Sequence, residues 1–216
     1  MQGAVRILMD LPQLTGTDKE VWLGPVLARA AEGTTGTTDP WTTELSEAAL
    51  AFASERVRFA LEQRGFGIEV VRAATSARDV SPLRARRIAE AIQGMRGSED
   101  FQALAVLFKR VKNIARERRS SGPLDRSAIT EPAERALLAE LDARRPRIEA
   151  AAARSDYRAA FIEIAGLRAA VDRFFTEVFV MADDVRTRDA RLTLMADLRD
   201  LILDLADISE IIPQTE

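Results

Sequence analysis

Four basic side chains between residues 101 and 119 recur at helical spacing and are the strongest candidates for a binding function. They stand three, four and three positions apart, so on a helix they share one stripe. No acid interrupts the stripe, and its charges repel one another by about a few tenths of a kcal/mol per adjacent pair. Phosphate is the usual anion that a run of Lys and Arg meets. The four residues are Lys109, Lys112, Arg116 and Arg119.

The same stripe is also compatible with a solvated helix face that is paired with acids elsewhere in the chain. Residues 84–119 carry ten basic and four acidic side chains, whereas residues 172–216 carry eleven acidic and five basic ones. The formal net charge of -3 hides this asymmetry. Such asymmetry points to a partner, which is either an external polyanion or the acidic end of the chain itself.

Composition excludes several kinds of chemistry. The chain has no Cys and no His, which excludes disulfides, thiol nucleophiles, Cys/His zinc sites, Ser-His-Asp triads and histidine bases. There is also no phosphate-binding glycine loop. Asp183, Asp184 and Asp189 could hold Mg²⁺, but a helix cap is the simpler interpretation, and the acids from Asp197 to Asp207 are expected on a solvated face. We therefore expect no catalytic residue, no metal site and no cofactor in this chain.

The sequence predicts no membrane partner. No apolar run approaches the roughly 18 residues of a spanning helix, and the apolar start at Ile7 is broken at once by Asp10. A cytoplasmic location is the expectation. The mildly acidic total charge predicts no DNA partner.

The predicted fold is all-α, because apolar residues step by three and four along the chain and no strand alternation occurs. With 216 residues, 47% hydrophobic and 30% charged, the chain can bury a globular core. A Gly/Thr-rich loop is expected at 33–40, and the clearest break is at 120–123. A helical bundle is expected after a smaller helical body.

Three helix predictions bear on the candidate site. One helix is expected to begin at an N-cap Ser46 and end at Gly65. A second, with Leu104 and Val111 facing inward, is expected to open at Glu99 or Asp100 and run to about Arg118. A long third helix is expected from Asp156 to about residue 183, with its Phe-rich stripe at 174–179 in the core.

Two blocks of the chain resemble a known family. The segments 171–175 (VDRFF) and 178–184 (VFVMADD), followed by Arg188, Arg191 and 206–209 (ADIS), resemble the C-terminal end of the β subunit of bacterial two-subunit glycyl-tRNA synthetase. The helix 108–114 (FKRVKNI) resembles that family's upstream basic stretch, and 3–10 resembles a stretch after its HD-type domain. The same two blocks resemble, more loosely, the DALR-type anticodon-binding domain of arginyl-tRNA synthetase. The family's chain is far longer, so we expect this sequence to match roughly its last third.

The resemblance implies a division of the chain and a function. Residues 1–97 would form a helical body or connecting region, and residues 98–216 a DALR-like anticodon-binding bundle. The chain would hold the anticodon arm of tRNA(Gly), while the α subunit of an α2β2 assembly attaches glycine with ATP and Mg²⁺. The alternative is a non-catalytic helical scaffold or protein-interaction fragment without RNA binding.

The residues that would bind RNA fall into two groups. Side chains of the basic stripe would meet phosphates, and further polar side chains that match the family could contact sugars or base edges. The predicted RNA-binding residues are Lys109, Arg110, Lys112, Asn113, Arg116, Arg119, Arg188 and Arg191.

Overall fold

The computed structural model describes residues 1–32, 42–77, 79–118 and 121–211, and within these ranges all regular structure is helical. The all-α prediction is therefore confirmed for the part of the chain that is described. The predicted loop at 33–40, together with Arg119 and Ser120, lies outside the described residues. The helices are α1 (Gln2–Met9), α2 (Leu11–Thr15), α3 (Leu23–Glu32), α4 (Thr43–Glu62), α5 (Ile68–Ala74), α6 (Pro82–Met95), α7 (Glu99–Ala115), α8 (Pro132–Ala153), α9 (Tyr157–Ala165), α10 (Arg168–Glu177) and α11 (Val185–Leu203). A short 3-10 helix, Arg126–Ala128, lies between α7 and α8, and a second one, Ile208–Ile211, follows α11.

The chain divides into two compact units, Met1–Gln93 and Gly94–Glu216. The division falls in the last turn of α6, four residues before the boundary predicted after residue 97. The first unit contains α1 to α5 and most of α6. The second unit contains α7 to α11 and therefore all of the predicted RNA-binding residues.

In the first unit, α4 packs against α1, α3 and α5. Asp10, directly after α1, accepts hydrogen bonds from Arg64 at 2.5 Å and Arg86 at 2.7 Å. The hydrogen bond from Arg64 is the largest cause that lowers the pKa of Asp10. These bonds fix the end of α1 to α6 and to the segment after α4.

The predicted N-cap of α4 is wrong, and the helix ends at Glu62, three residues before the predicted end at Gly65. The hydroxyl of Thr42 caps the helix by accepting from Leu45 N at 3.1 Å, and Ser46 instead donates to the Thr42 carbonyl. Gly65 follows α4 with φ 85°, a left-handed conformation that favours glycine.

In the second unit, α7 packs against α9, α10, α11 and the turn Ile208–Ile211. Ser98 caps α7 by accepting from Phe101 N at 3.3 Å, one residue before the predicted start. Phe101 and Phe108 are fully buried, and Phe101 meets Phe161 of α9 edge-on with ring centroids 5.7 Å apart. Because the buried Phe108 directly precedes Lys109, the packed face of α7 borders the basic stripe.

The predicted long helix after Asp156 is two helices, α9 and α10. Asp156 caps α9 as its sequence position predicts, accepting from Ala159 N at 3.1 Å. The break follows Ala165, where Arg144 of α8 donates to Glu163 and its guanidinium lies directly against Gly166. A Cβ at this position would overlap the guanidinium, so the glycine gives Arg144 the room to cross here.

Candidate nucleic-acid interface

One side of α7 presents three cations and an amide to solvent. Lys109, Arg110, Asn113 and the C-cap residue Arg116 are all exposed. None of their side chains forms a hydrogen bond or ion pair with another residue that the structure describes. We call these four residues the α7 face. Because Lys109, Asn113 and Arg116 are four and three positions apart, they form one ridge along the helix.

Lys112 belongs to a different environment. Its ammonium group forms an ion pair with Asp207 and a hydrogen bond of 2.9 Å with Ser209, just beyond α11. The side chains of Lys112 and Asp207 are only 19% and 13% exposed. The charge is thus satisfied inside the protein, and this placement disfavours Lys112 as a phosphate ligand. The same contact contradicts, for Asp207, the expectation of a solvated face, whereas Asp200 and Asp204 are exposed as predicted.

The position of Lys112 follows from the packing of α7. Phe108 and Val111 are both fully buried, and Lys112 stands four residues after the first and next to the second. Residues four apart lie above one another on a helix, so Lys112 borders the packed face instead of the α7 face. The acidic end of the chain therefore neutralises one cation of the predicted stripe and leaves Lys109 and Arg116 free of acid partners among the described residues.

Arg110 rests on an aromatic ring. Its guanidinium carbon lies 4.2 Å from the ring centroid of Phe175 on α10. Phe175 is 9% exposed, and it is held from the side by Phe174, whose ring is 5.6 Å away at an interplanar angle of 70°. Such a cation–π contact orients the arginine without consuming its hydrogen-bond donors.

Arg191 is the second predicted residue that is used internally. It is 8% exposed and pairs through Nε with Glu134 of α8, which is fully buried. The other carboxylate oxygen of Glu134 accepts from the backbone N of Thr130 at 2.8 Å and of Glu131 at 2.9 Å, which caps α8. Arg191 thus ties α11 to the start of α8, and this buried arrangement disfavours it as an RNA contact.

Arg191 and Arg188 also hold the segment between α10 and α11. Arg191 Nη1 donates to the Phe179 carbonyl at 2.8 Å, and Arg188 Nη1 donates to the Ala182 carbonyl at 3.0 Å. Arg188 is half-buried, so it keeps part of its guanidinium accessible. Asp184 caps α11 by accepting from Thr187 N at 2.8 Å, as its interpretation as a cap predicts.

The prediction that Phe179 lies in the core is wrong. Its side chain is 75% exposed, because α10 ends at Glu177 and the helical stripe does not continue past that residue. Met181 and Val185 are also exposed, at 45% and 58%. The end of α10 separates the exposed Phe179 from the buried Phe174. The sequence does not mark this end with Gly or Pro, so helical spacing alone predicted the same environment for both.

No group of three or more Asp or Glu side chains in the described ranges is arranged to hold a metal ion. None of the helices in the described part of the chain is long and apolar enough to cross a membrane. Helix α7 of the second unit thus has one buried face and one cationic face whose charges have no acid partner among the residues that the structure describes.

Comparison with known proteins identifies this unit. The family model of the DALR anticodon binding domain matches residues 105–212, half of the chain. The chain belongs to the DALR anticodon-binding domain family. The DALR match lies entirely within the second compact unit and includes every predicted RNA-binding residue.

The DALR domain and its flanking residues are also similar to glycine–tRNA ligase beta subunits. Identity is 40% over 162 residues with the beta subunits of Acinetobacter baylyi and Acinetobacter baumannii, and 37% over 166 residues with that of Shewanella putrefaciens. These alignments cover 74% to 76% of this chain and 24% of each relative. The resemblance inferred from the sequence is therefore confirmed, and the aligned part of the chain spans about a quarter of the length of these relatives.

Proposed function

We propose that this chain binds the anticodon arm of tRNA(Gly) as the C-terminal portion of a glycine–tRNA ligase β subunit. The observation that carries the proposal is the α7 face, whose three cations lack an acid partner among the described residues and lie within the matched DALR residues. The names of the relatives support glycine as the amino acid. No observation favours a helical scaffold that does not bind RNA.

Phosphate binding is assigned to the two ends of the α7 face. Lys109 and Arg116 are seven residues apart, which separates them by about 10 Å along the axis. They can therefore contact different phosphates of one strand. Arg110 and Asn113 lie between them, where they face the sugars or bases that those phosphates connect. Arg188 is a secondary candidate, and Lys112 and Arg191 are left out of the contact surface because their charges are satisfied internally.

The contribution of this domain to aminoacylation would be positioning. Binding energy gathered at the anticodon arm places the distant acceptor end of the tRNA in an active site on the α subunit of the α2β2 assembly. ATP and Mg²⁺ would act at that site, and the reaction would take place in the cytoplasm, where translation uses the product. Loss of the α7 face should then lower the efficiency of tRNA charging and leave tRNA-independent glycyl-adenylate formation nearly unchanged.

The test is a fluorescence anisotropy titration of a labelled tRNA(Gly) transcript with this chain at several salt concentrations. The double variant Lys109→Ala/Arg116→Ala should reduce the slope of log K against log salt by about 1.4 to 1.8, since each neutralised phosphate contributes about 0.7 to 0.9. If both proteins bind equally at 1 M salt, this slope change makes the double variant bind about 100-fold more weakly at 50 mM salt and about tenfold more weakly at 200 mM.

The matched control is Arg154→Ala. Arg154 is exposed, follows α8 and forms no ion pair with a described residue, so its removal changes the net charge by one unit, as each of the two substitutions of the double variant does. We expect its slope to equal that of the unmodified protein. The proposal fails if the unmodified chain does not bind tRNA at low salt, or if the control and the double variant lose the same affinity.

A further inference from the structure

We propose that Arg110, stacked on Phe175, provides the surface on which one unpaired base of the bound RNA stacks. This inference rests on the proposed function. It adds a stacking contact with one base to the phosphate contacts assigned to Lys109 and Arg116. It assigns to Arg110 a role different from those of Lys109 and Arg116, although all three residues are exposed cations of the same helix.

The ring beneath Arg110 is fixed before any ligand arrives. Phe175 is almost fully buried, and the fully buried Phe174 packs against it at 5.6 Å. The guanidinium carbon of Arg110 lies 4.2 Å from the centroid of Phe175, which is direct contact between the two groups. The arginine is thereby held over a rigid surface, while its side chain as a whole remains exposed.

Nothing else in the described structure uses this guanidinium. Arg110 forms no hydrogen bond and no ion pair with a described residue, in contrast to Lys112 and Arg191, which are tied to carboxylates. One side of the Arg110 guanidinium therefore packs on an aromatic ring. Its other side and its five N–H donors remain available to a ligand. A planar ligand that stacks on this surface would extend the aromatic contact outward.

An unpaired nucleobase fits this arrangement. Single-stranded bases stack on aromatic rings and on arginine planes, and the bases of an anticodon loop are accessible because they are not held in a duplex. Lys109 is adjacent and supplies charge for a phosphate. Asn113 follows Arg110 by one helical turn, so its unpaired amide lies beside the stacked base and presents both donors and an acceptor to the base edge.

A stack and a phosphate contact predict different results for Arg110→Lys. Lysine keeps the positive charge but has no plane, so a phosphate contact survives this substitution and a stack does not. By alanine substitution, base stacking changes affinity by about 5- to 150-fold at 25 °C. Arg110→Lys should therefore lose affinity in that range while the salt slope remains that of the unmodified protein.

The experiment uses the anticodon stem-loop hairpin of tRNA(Gly) with the fluorescent base 2-aminopurine placed at one loop position at a time. Binding of the unmodified protein should quench the fluorescence at one position, and Arg110→Lys should abolish that quenching. Lys109→Ala is the matched variant, which should lower the salt slope by about 0.7 to 0.9 and keep the quenching. A fully paired RNA duplex of the same length should bind the unmodified protein and Arg110→Lys equally.

The outcomes separate this inference from the proposed function. If the hairpin binds and Arg110→Lys retains both affinity and quenching, the stacking role is refuted and the tRNA-binding proposal stands. If Arg110→Ala lowers the salt slope and Arg110→Lys restores it, Arg110 contacts a phosphate, and the stacking role is again refuted. If the unmodified protein does not bind the hairpin at low salt, both proposals fail. Because Arg110 is exposed and unpaired among the described residues, unfolding of these variants is not expected, and circular dichroism checks it.

Discussion

Replacing Arg191 with methionine should lower the free energy of unfolding by about 3 to 5 kcal/mol, because it leaves a buried carboxylate without its cation. Glu134 is fully buried and the Arg191 side chain is only 9% exposed, so water cannot take over the role of the guanidinium. The same change removes the donor to the Phe179 carbonyl. Since a domain of this size is stable by about 5 to 15 kcal/mol, the loss would be a large part of the total.

Chemical denaturation followed by far-ultraviolet circular dichroism measures this loss. Arg186→Met is the matched control, because Arg186 lies on the same helix and pairs with Asp125, but both side chains are well exposed, at 65% and 42%. Exposed pairs contribute little to stability, so the control should unfold like the unmodified protein. Both variants lose one positive charge, one ion pair and one further hydrogen bond, and the two ion pairs differ in their burial.

The tRNA affinity of the folded fraction completes the test. We expect Arg191→Met, below its unfolding transition, to bind the anticodon hairpin as tightly as the unmodified protein. If this variant is as stable as Arg186→Met and loses RNA affinity, the structural role assigned to Arg191 is refuted, and the residue contacts RNA as the sequence analysis predicted.

Three further changes test other parts of the structure. Lys112→Met should destabilise the protein by about 1 to 3 kcal/mol in denaturation experiments, because Asp207 loses its partner, and should leave the salt slope of tRNA binding unchanged; a lower slope would contradict the internal role of Lys112. Burial raises the pKa of Asp197 from its usual 3.8, so Asp197→Asn should stabilise the protein at pH 7, and the gain should disappear as the pH falls below 3.8. A gain that is independent of pH would exclude the charge as its cause. Ser155 follows α8 with φ 56°, so Ser155→Gly should raise the unfolding free energy by about 1 kcal/mol, and an unchanged thermal midpoint would refute strain at this position.

Local patterns in the sequence predict much of the helical structure. Gly65 adopts the left-handed conformation in the turn after α4, and Asp156 caps α9, because turns and caps depend on a few neighbouring residues and on backbone conformation. The cationic character of α7 also follows from spacing alone. The predicted inward residues of α7, Leu104 and Val111, are buried, and Phe108 is buried with them. Phe108 lies between the two faces of the helix, and helical spacing alone does not show to which face such a residue belongs.

The choice between a free and a neutralised cation depends on tertiary structure. Lys112 finds Asp207 95 residues away, and Arg191 finds Glu134 57 residues away. Helical spacing does not predict such long-range contacts, because Lys109 and Lys112 occupy equivalent positions of the stripe in the sequence. At the break between α9 and α10, Arg144 of another helix lies against Gly166, a contact that the local sequence does not show.

The helix α7 places Phe108 and Val111 in the core and Lys109 and Arg110 on the surface within a single turn. A ligand that binds those surface residues can bind only when the helix is folded and docked. Thermal unfolding of the second unit is therefore coupled to occupancy, and RNA at about 100 times its Kd would add about 2.7 kcal/mol to the unfolding free energy. A calorimeter could then rank RNA sequences by the melting temperature they confer, without a label on either molecule.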